Sequence, residues 1–168
     1  MGVFDVSTHE ILVDDFIRRV LLRVMNAGDY AEILRQPGKI TDRGHVELDH
    51  VWLLRKPNGT ERVLHIEVQS TNDRNMPRRM ARYYGALRAQ YEKQTIEQVV
   101  LYIGSKKMTM KNTLAEGLFV FSYKLIDIRD LDSSMFLKPG HPTLALLGSL
   151  AKPKAGQTTE GPSRTGDT

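Results

Sequence analysis

Ile11, Leu12, Phe16, Val20 and Val24 recur at helical spacing, so the chain opens with an amphipathic helix. Ser7-Thr8-His9-Glu10 fits a capping box at its start, the serine oxygen taking one free backbone N–H and the glutamate reaching back to another. Asn26-Ala27-Gly28 ends the run. Residues 30–34 are a short apolar element of undecided type, and residues 36–44 read as a loop. The period then changes to two. Residues 47–52 and 63–69 have strand length, and Lys56-Pro57-Asn58-Gly59 between them carries turn chemistry, proline fixing φ and Asn-Gly accepting positive φ. A hairpin is predicted, with Leu64, Ile66 and Val68 packing inward and Glu67 and Gln69 emerging together on the other face.

After a polar connection at 70–75, the apolar stripe Met76, Met80, Tyr83 or Tyr84, Leu87 and Tyr91 predicts a second helix over 76–94. Residues 98–103 have strand length, apolar from Val99 to Ile103 and closed by Gly104, suited to a central strand covered on both faces. Strand patterns follow at 118–123 and 125–128, then a short closing helix at 142–150. From residue 151 Gly, Pro, Thr, Ser and Lys replace apolar residues, so 151–168 is expected to be a disordered polar tail behind a domain spanning 1–150.

With 168 residues the chain holds material for one domain and one core. It has no cysteine, which excludes disulfides, thiolate metal sites and cysteine nucleophiles and makes a cytoplasmic protein the expectation. No signal-peptide pattern opens the chain and no apolar run reaches the ~18 residues that cross a bilayer, so no membrane partner is expected. The formal charge of +4 permits a polyanionic partner without requiring one. Its placement says more: between residues 74 and 94 six basic residues face one acid, Glu92. Most basic helix faces are simply solvated. This one follows directly after the acidic hairpin, which makes Arg78, Arg79, Arg82 and Arg88 candidate contacts to a DNA phosphate backbone.

The hairpin brings Asp49 beside Glu67, with the Gln69 amide on the same side. Two carboxylates and an amide in that arrangement suit Mg²⁺, which takes oxygen ligands and keeps positions open for water and phosphate. The same acids also fit the solvated face of a one-sided sheet. By parity His50 faces away from Asp49 and His65 shares the face of Glu67, a position where a histidine is usually hydrogen-bonded filler. Asp127 and Asp130 read as surface acids. No His-x-x-x-His pair, Gly-x-x-x-x-Gly-Lys loop or Gly-x-Ser-x-Gly elbow is present, so zinc-hydrolase and serine-hydrolase readings lose support and no nucleotide cofactor is expected.

Asp49, the turn, Ile66-Glu67-Val68-Gln69-Ser70, then Met76, Arg79-Met80 and Tyr83, then Val99-Val100-Leu101-Tyr102-Ile103-Gly104 form an ordered series. It resembles the Rpn (recombination-promoting nuclease) and transposase-like branch of the PD-(D/E)XK nuclease superfamily, over about residues 4–150. The resemblance implies an α/β fold of the restriction-endonuclease-like type, a mixed sheet flanked by the N-terminal and Arg-rich helices. It implies metal-dependent cleavage of DNA, with Mg²⁺ or Mn²⁺ held by Asp49, Glu67 and the Val68 backbone carbonyl. Nucleases of this superfamily often add an acid from the first helix, which makes Asp15 a candidate auxiliary ligand, against a solvated Asp14-Asp15 face. Gln69 stands where the superfamily usually has lysine, although this branch commonly carries glutamine. An amide cannot act as a base near neutral pH, so Gln69 would orient the attacking water. Arg79, Met80 and Tyr83 match the family's Arg-Met-x-x-Tyr element, with Arg79 either supporting the site or making a structural ion pair. Relatives of this branch are longer beyond residue 150. A catalytically inactive nucleic-acid-binding module and a protein-interaction domain remain the alternatives, and homodimerisation is left open.

Overall fold

The computed structural model describes residues 30–40 and 46–131. The predicted first helix with Asp15, the closing helix at 142–150 and the tail at 151–168 lie outside them.

The segment of undecided type is a strand, Glu32–Gln36 (β1), at one edge of the main sheet. Lys39–Ile40 (β2) and Val46–Glu47 (β3) pair as a two-residue ladder, so the region read as a loop contains a short strand. The strand predicted at 47–52 is broken by this. Leu48 turns away to donate its N–H to the Gly38 carbonyl at 2.8 Å, and the main-sheet strand runs over His50–Arg55 (β4). The predicted turn follows: Gly59 takes φ 82° and bonds back to the Lys56 carbonyl, while Asn58 Oδ1 accepts the Thr60 N–H at 3.0 Å. It leads into Glu61–Gln69 (β5), antiparallel to β4.

Helix α1 (Met76–Gln90) then crosses over the sheet. Pro77 sits in its first turn, where the missing N–H has no intrahelical partner to lose. Asn75 makes no side-chain cap; instead Asp73 Oδ1 accepts the Asn75 N–H at 2.8 Å. Met76, Met80, Tyr83 and Leu87 form the buried stripe. The helix ends earlier than predicted because Tyr91 leaves helical geometry at ψ 74°, and Arg88 folds over the end to donate to the Glu92 and Gln94 carbonyls.

Thr95–Tyr102 (β6) returns parallel to β5, completing a β-α-β unit. A hairpin of Thr113–Glu116 (β7) and Phe119–Ser122 (β8) stands outside the main sheet, turning at Gly117 with φ 59°. Lys124–Asp127 (β9) then adds to β6 in parallel, and Ile128–Asp130 is one 3₁₀ turn. The result is a mixed five-stranded sheet of order β1-β4-β5-β6-β9 with α1 packed on one face.

Val51, Val63, Val100 and Tyr102 meet α1 in one cluster with Met76, Met80, Tyr83 and Leu87. On the opposite face Trp52, Leu54, Leu64, Ile66, Val99 and Leu101 are buried as well. β5 is therefore covered on both sides, which overturns the one-sided pattern read from its alternation. Asp127 is likewise no surface acid. It is 8% exposed, accepts the Arg129 N–H and pairs with the Arg129 guanidinium at 2.5 Å. No helix among the described residues is long and apolar enough to cross a membrane.

Candidate functional site

Residues two apart on a strand share a face, and paired residues across a ladder share it too. His65 pairs with Val51 on one side and with Gln98 on the other, Glu67 with Val100, and Gln69 with Tyr102. All of these positions belong to the face beneath α1. One step beyond the last β4–β5 pair, His50 with Ile66, the register sets Asp49 opposite Glu67. The sheet thus gathers Asp49, Glu67 and Gln69 at one end, as the hairpin reading required. Asp49 itself is exposed and lies in a bend before β4.

Glu67 differs from the expectation in its environment, being only 2% exposed. Its Oε1 accepts from Arg79 Nη2 at 2.5 Å and from Gln69 Nε2 at 3.1 Å. Its Oε2 is buried without a hydrogen-bond partner. Burial, and after it the negative charge of Asp49, pushes the Glu67 carboxyl up to about 7, against the opposing pull of Arg79 and the Gln69 bond. Arg79 also binds Asp73 at 3.0 Å, so one half-buried guanidinium spans two carboxylates. Burial alone would lower the Arg79 pKa, but its bonds to Tyr83 and Asp73 and the nearby Glu67 leave it raised. Arg79 therefore turns toward Glu67 and Asp73 rather than the exposed face of α1, as either a support for the site or a structural ion pair would.

A second polar group lies deeper. His65, fully buried, has Nδ1 3.0 Å from Gln98 Nε2, and the same amide nitrogen donates to the Met80 carbonyl at 3.1 Å. His65 Nε2 faces Glu67 Oε2 at 3.8 Å. Burial and, less, the charge of His50 push the imidazole down to about 3, so it is neutral near pH 7. Gln98 went unremarked in the sequence because its place depends on the parallel register between strands 33 residues apart.

The remaining arginines divide. Arg82 is exposed, has no carboxylate partner among the described residues, and lies 5.6 Å from the Tyr83 ring. Arg78 is exposed and pairs with Glu116 of β7 at 2.5 Å. Arg88 is half-buried and donates to the Glu92 and Gln94 main-chain carbonyls at the helix end. An open cleft beside Asp73 is lined by Asn72, Arg74, Thr109, Met110 and Lys111, and Arg74 and Lys111 expose their charges there.

The donors fit a hard divalent cation in kind. Asp49 and Glu67 offer carboxylate oxygens, and their mutual repulsion is what a cation between them would relieve. Val68 is half-buried at the end of β5. No group of three His, Asp or Glu side chains converges among the described residues, and Asp15 lies outside them. Comparison with protein-family models, with curated proteins and with solved structures gives no match to this chain.

Proposed function

We propose that this protein is a divalent-metal-dependent DNA endonuclease of the Rpn/transposase-like PD-(D/E)XK type, on a restriction-endonuclease-like fold. The observation that carries the reading is Glu67, a carboxylate 2% exposed, set opposite Asp49 at the end of the sheet and bound by Arg79 and Gln69. An isolated acid on a solvated face needs none of these neighbours. A mixed sheet whose acid-bearing hairpin leads through one helix into parallel strands is compatible with that fold.

Asp49 and Glu67 are the residues that would hold Mg²⁺ or Mn²⁺, with the Val68 carbonyl as a further donor. When bound, the cation supplies positive charge at the scissile phosphate and lowers the pKa of water. Glu67 must be ionised to ligate, and its raised pKa keeps part of the population protonated near neutral pH. Gln69 presents its amide where an attacking water can be oriented by hydrogen bonding. Arg79 keeps a positive charge beside the carboxylates, favouring the approach of a phosphate. Arg78 and Arg82 on α1, with Arg74 and Lys111 at the cleft, supply the phosphate contacts that position a DNA strand without reading its sequence.

Arg79 also favours a second reading, a catalytically inactive nucleic-acid-binding module, because it already neutralises Glu67 without a metal. Incubating supercoiled, linear and single-stranded DNA with Mg²⁺, Mn²⁺ or EDTA separates the two. The nuclease reading expects metal-dependent nicking that is lost in folded Asp49→Ala and Glu67→Ala and only reduced in Gln69→Ala. DNA binding without any cleavage in Mg²⁺ or Mn²⁺ would leave the inactive module.

A further inference from the structure

His65 and Gln98 are buried polar residues with no place in the chemistry above, and three of their atoms fix one another's roles. The Met80 carbonyl can only accept, so the Gln98 atom 3.1 Å from it must be the amide nitrogen. That nitrogen has two hydrogens, and the second points at His65 Nδ1, 3.0 Å away. A ring nitrogen facing an N–H donor must carry the lone pair. In a neutral imidazole the proton is then on Nε2, and Nε2 faces Glu67 Oε2 at 3.8 Å. Both of these last atoms are buried with no hydrogen-bond partner, so the N–H dipole and the carboxylate oxygen are aimed at each other in a region without solvent. The separation exceeds hydrogen-bond length, which makes the contact electrostatic.

We propose that His65 is a positioning residue for Glu67: the run from the Met80 carbonyl through Gln98 fixes the imidazole as its Nε2–H tautomer, and that N–H holds Oε2 inward so that Oε1 is presented to Arg79 and Gln69. A carboxylate on a free torsion could turn either oxygen outward, whereas here one is held on the buried side. Outer partners of this kind set the orientation of a metal ligand and its affinity. The consequence for metal binding rests on the proposed function, but the tautomer and the orientation of Glu67 do not.

The test uses the full chain labelled with ¹⁵N. Long-range ¹H–¹⁵N correlation should show His65 as a neutral Nε2–H imidazole at pH 7, and Gln98→Leu should lose that single-tautomer pattern. The Arg79 guanidinium should give slowly exchanging N–H signals in the wild type and average out in His65→Leu. His65→Gln, whose amide retains an N–H donor, should restore them if His65→Leu folds poorly. Mn²⁺ affinity, read by water-proton relaxation, should fall about tenfold in His65→Leu and stay close to wild type in His65→Gln. An Nδ1–H tautomer in the wild type would overturn the proposal. So would Arg79 signals in folded His65→Leu identical to wild type. Absence of Mn²⁺ binding by the wild type would sink the metal reading alone, with the two spectra still deciding the role of His65.

Discussion

Arg79 Nη2 donates to Glu67 Oε1 at 2.5 Å, and the glutamate it holds is almost entirely shut off from solvent. Arg79 is α1's contribution to the site, whereas Asp49, Glu67 and Gln69 all come from the hairpin. Its own side chain is 31% exposed, so part of its charge stays hydrated.

Removing that guanidinium should destabilise the fold. Fully buried ion pairs lose ~3–5 kcal/mol when one partner is deleted; with Arg79 partly hydrated, Arg79→Leu is expected to cost roughly 2 kcal/mol. Most of this should return in the double variant Arg79→Leu with Glu67→Gln, because the orphaned charge is then gone. Urea unfolding of the four proteins in EDTA measures the coupling. Equal losses with and without the Glu67 change would show that Arg79 acts through packing or its pair with Asp73 instead.

The raised Glu67 pKa also has a pH signature. Its ordinary value is 4.5 and its folded value about 7, so the native state binds the proton more tightly than the unfolded chain. That contribution is present in full below pH 4.5 and is lost as pH rises through about 7, on the order of 3 kcal/mol. His65 works in the opposite sense. Its folded value is depressed from 6.5 to about 3, so its stabilisation is present above 6.5 and is lost as pH falls toward 3. The two partly cancel in the wild type. Stability of Glu67→Gln minus that of wild type, measured in EDTA, should therefore rise between pH 4.5 and 7 and level off above. A flat difference across that range would mean that Glu67 titrates normally.

For DNA, the surface cations should act through phosphates alone. Replacing Arg78 and Arg82 with glutamine should weaken binding to all sequences alike and reduce the slope of log affinity against log salt by about 2. Glu116→Gln frees Arg78 from its ion pair and should leave binding unchanged or slightly tighter. Fluorescence anisotropy at several salt concentrations measures both. A sequence-selective loss would point to base contacts instead.

How far the sequence carried the site depended on how local each relation was. Asp49, Glu67 and Gln69 lie on one hairpin, where strand parity and a proline-asparagine-glycine turn determine which side chains meet. What parity cannot tell is whether a face is covered. The polar side of β5 looks solvated in a list of residues, and it is buried because a helix beginning seven residues later folds back over it. The same blindness made Asp127 a surface acid, since the strand that buries it was read without its neighbour. Thr113-Leu114-Ala115-Glu116 has no strand signature of its own and is a strand only because it pairs with Phe119–Ser122 around Gly117. The pattern of residues 30–34 leaves their type open for the reason that decides it in the structure: an edge strand takes its identity from pairing with β4.

The two ladders of β5 differ in what a folding chain must do to make them. Pairing with β4 closes only a short turn, whereas pairing with β6 waits for the whole of α1 to cross, so the first can form much sooner than the second. On that order Asp49 and Glu67 would come together in the early half, and Arg79 and Gln98 would arrive with the late half. The nascent hairpin would then hold two carboxylates before their counter-ion is in place. Folding kinetics should record this order: Leu54→Val should slow folding, and Met80→Ala should chiefly speed unfolding. Comparable effects of both on the folding rate would mean that hairpin and crossover form together. In that order of assembly, the chemistry of the site is laid down before the interior that will tune it.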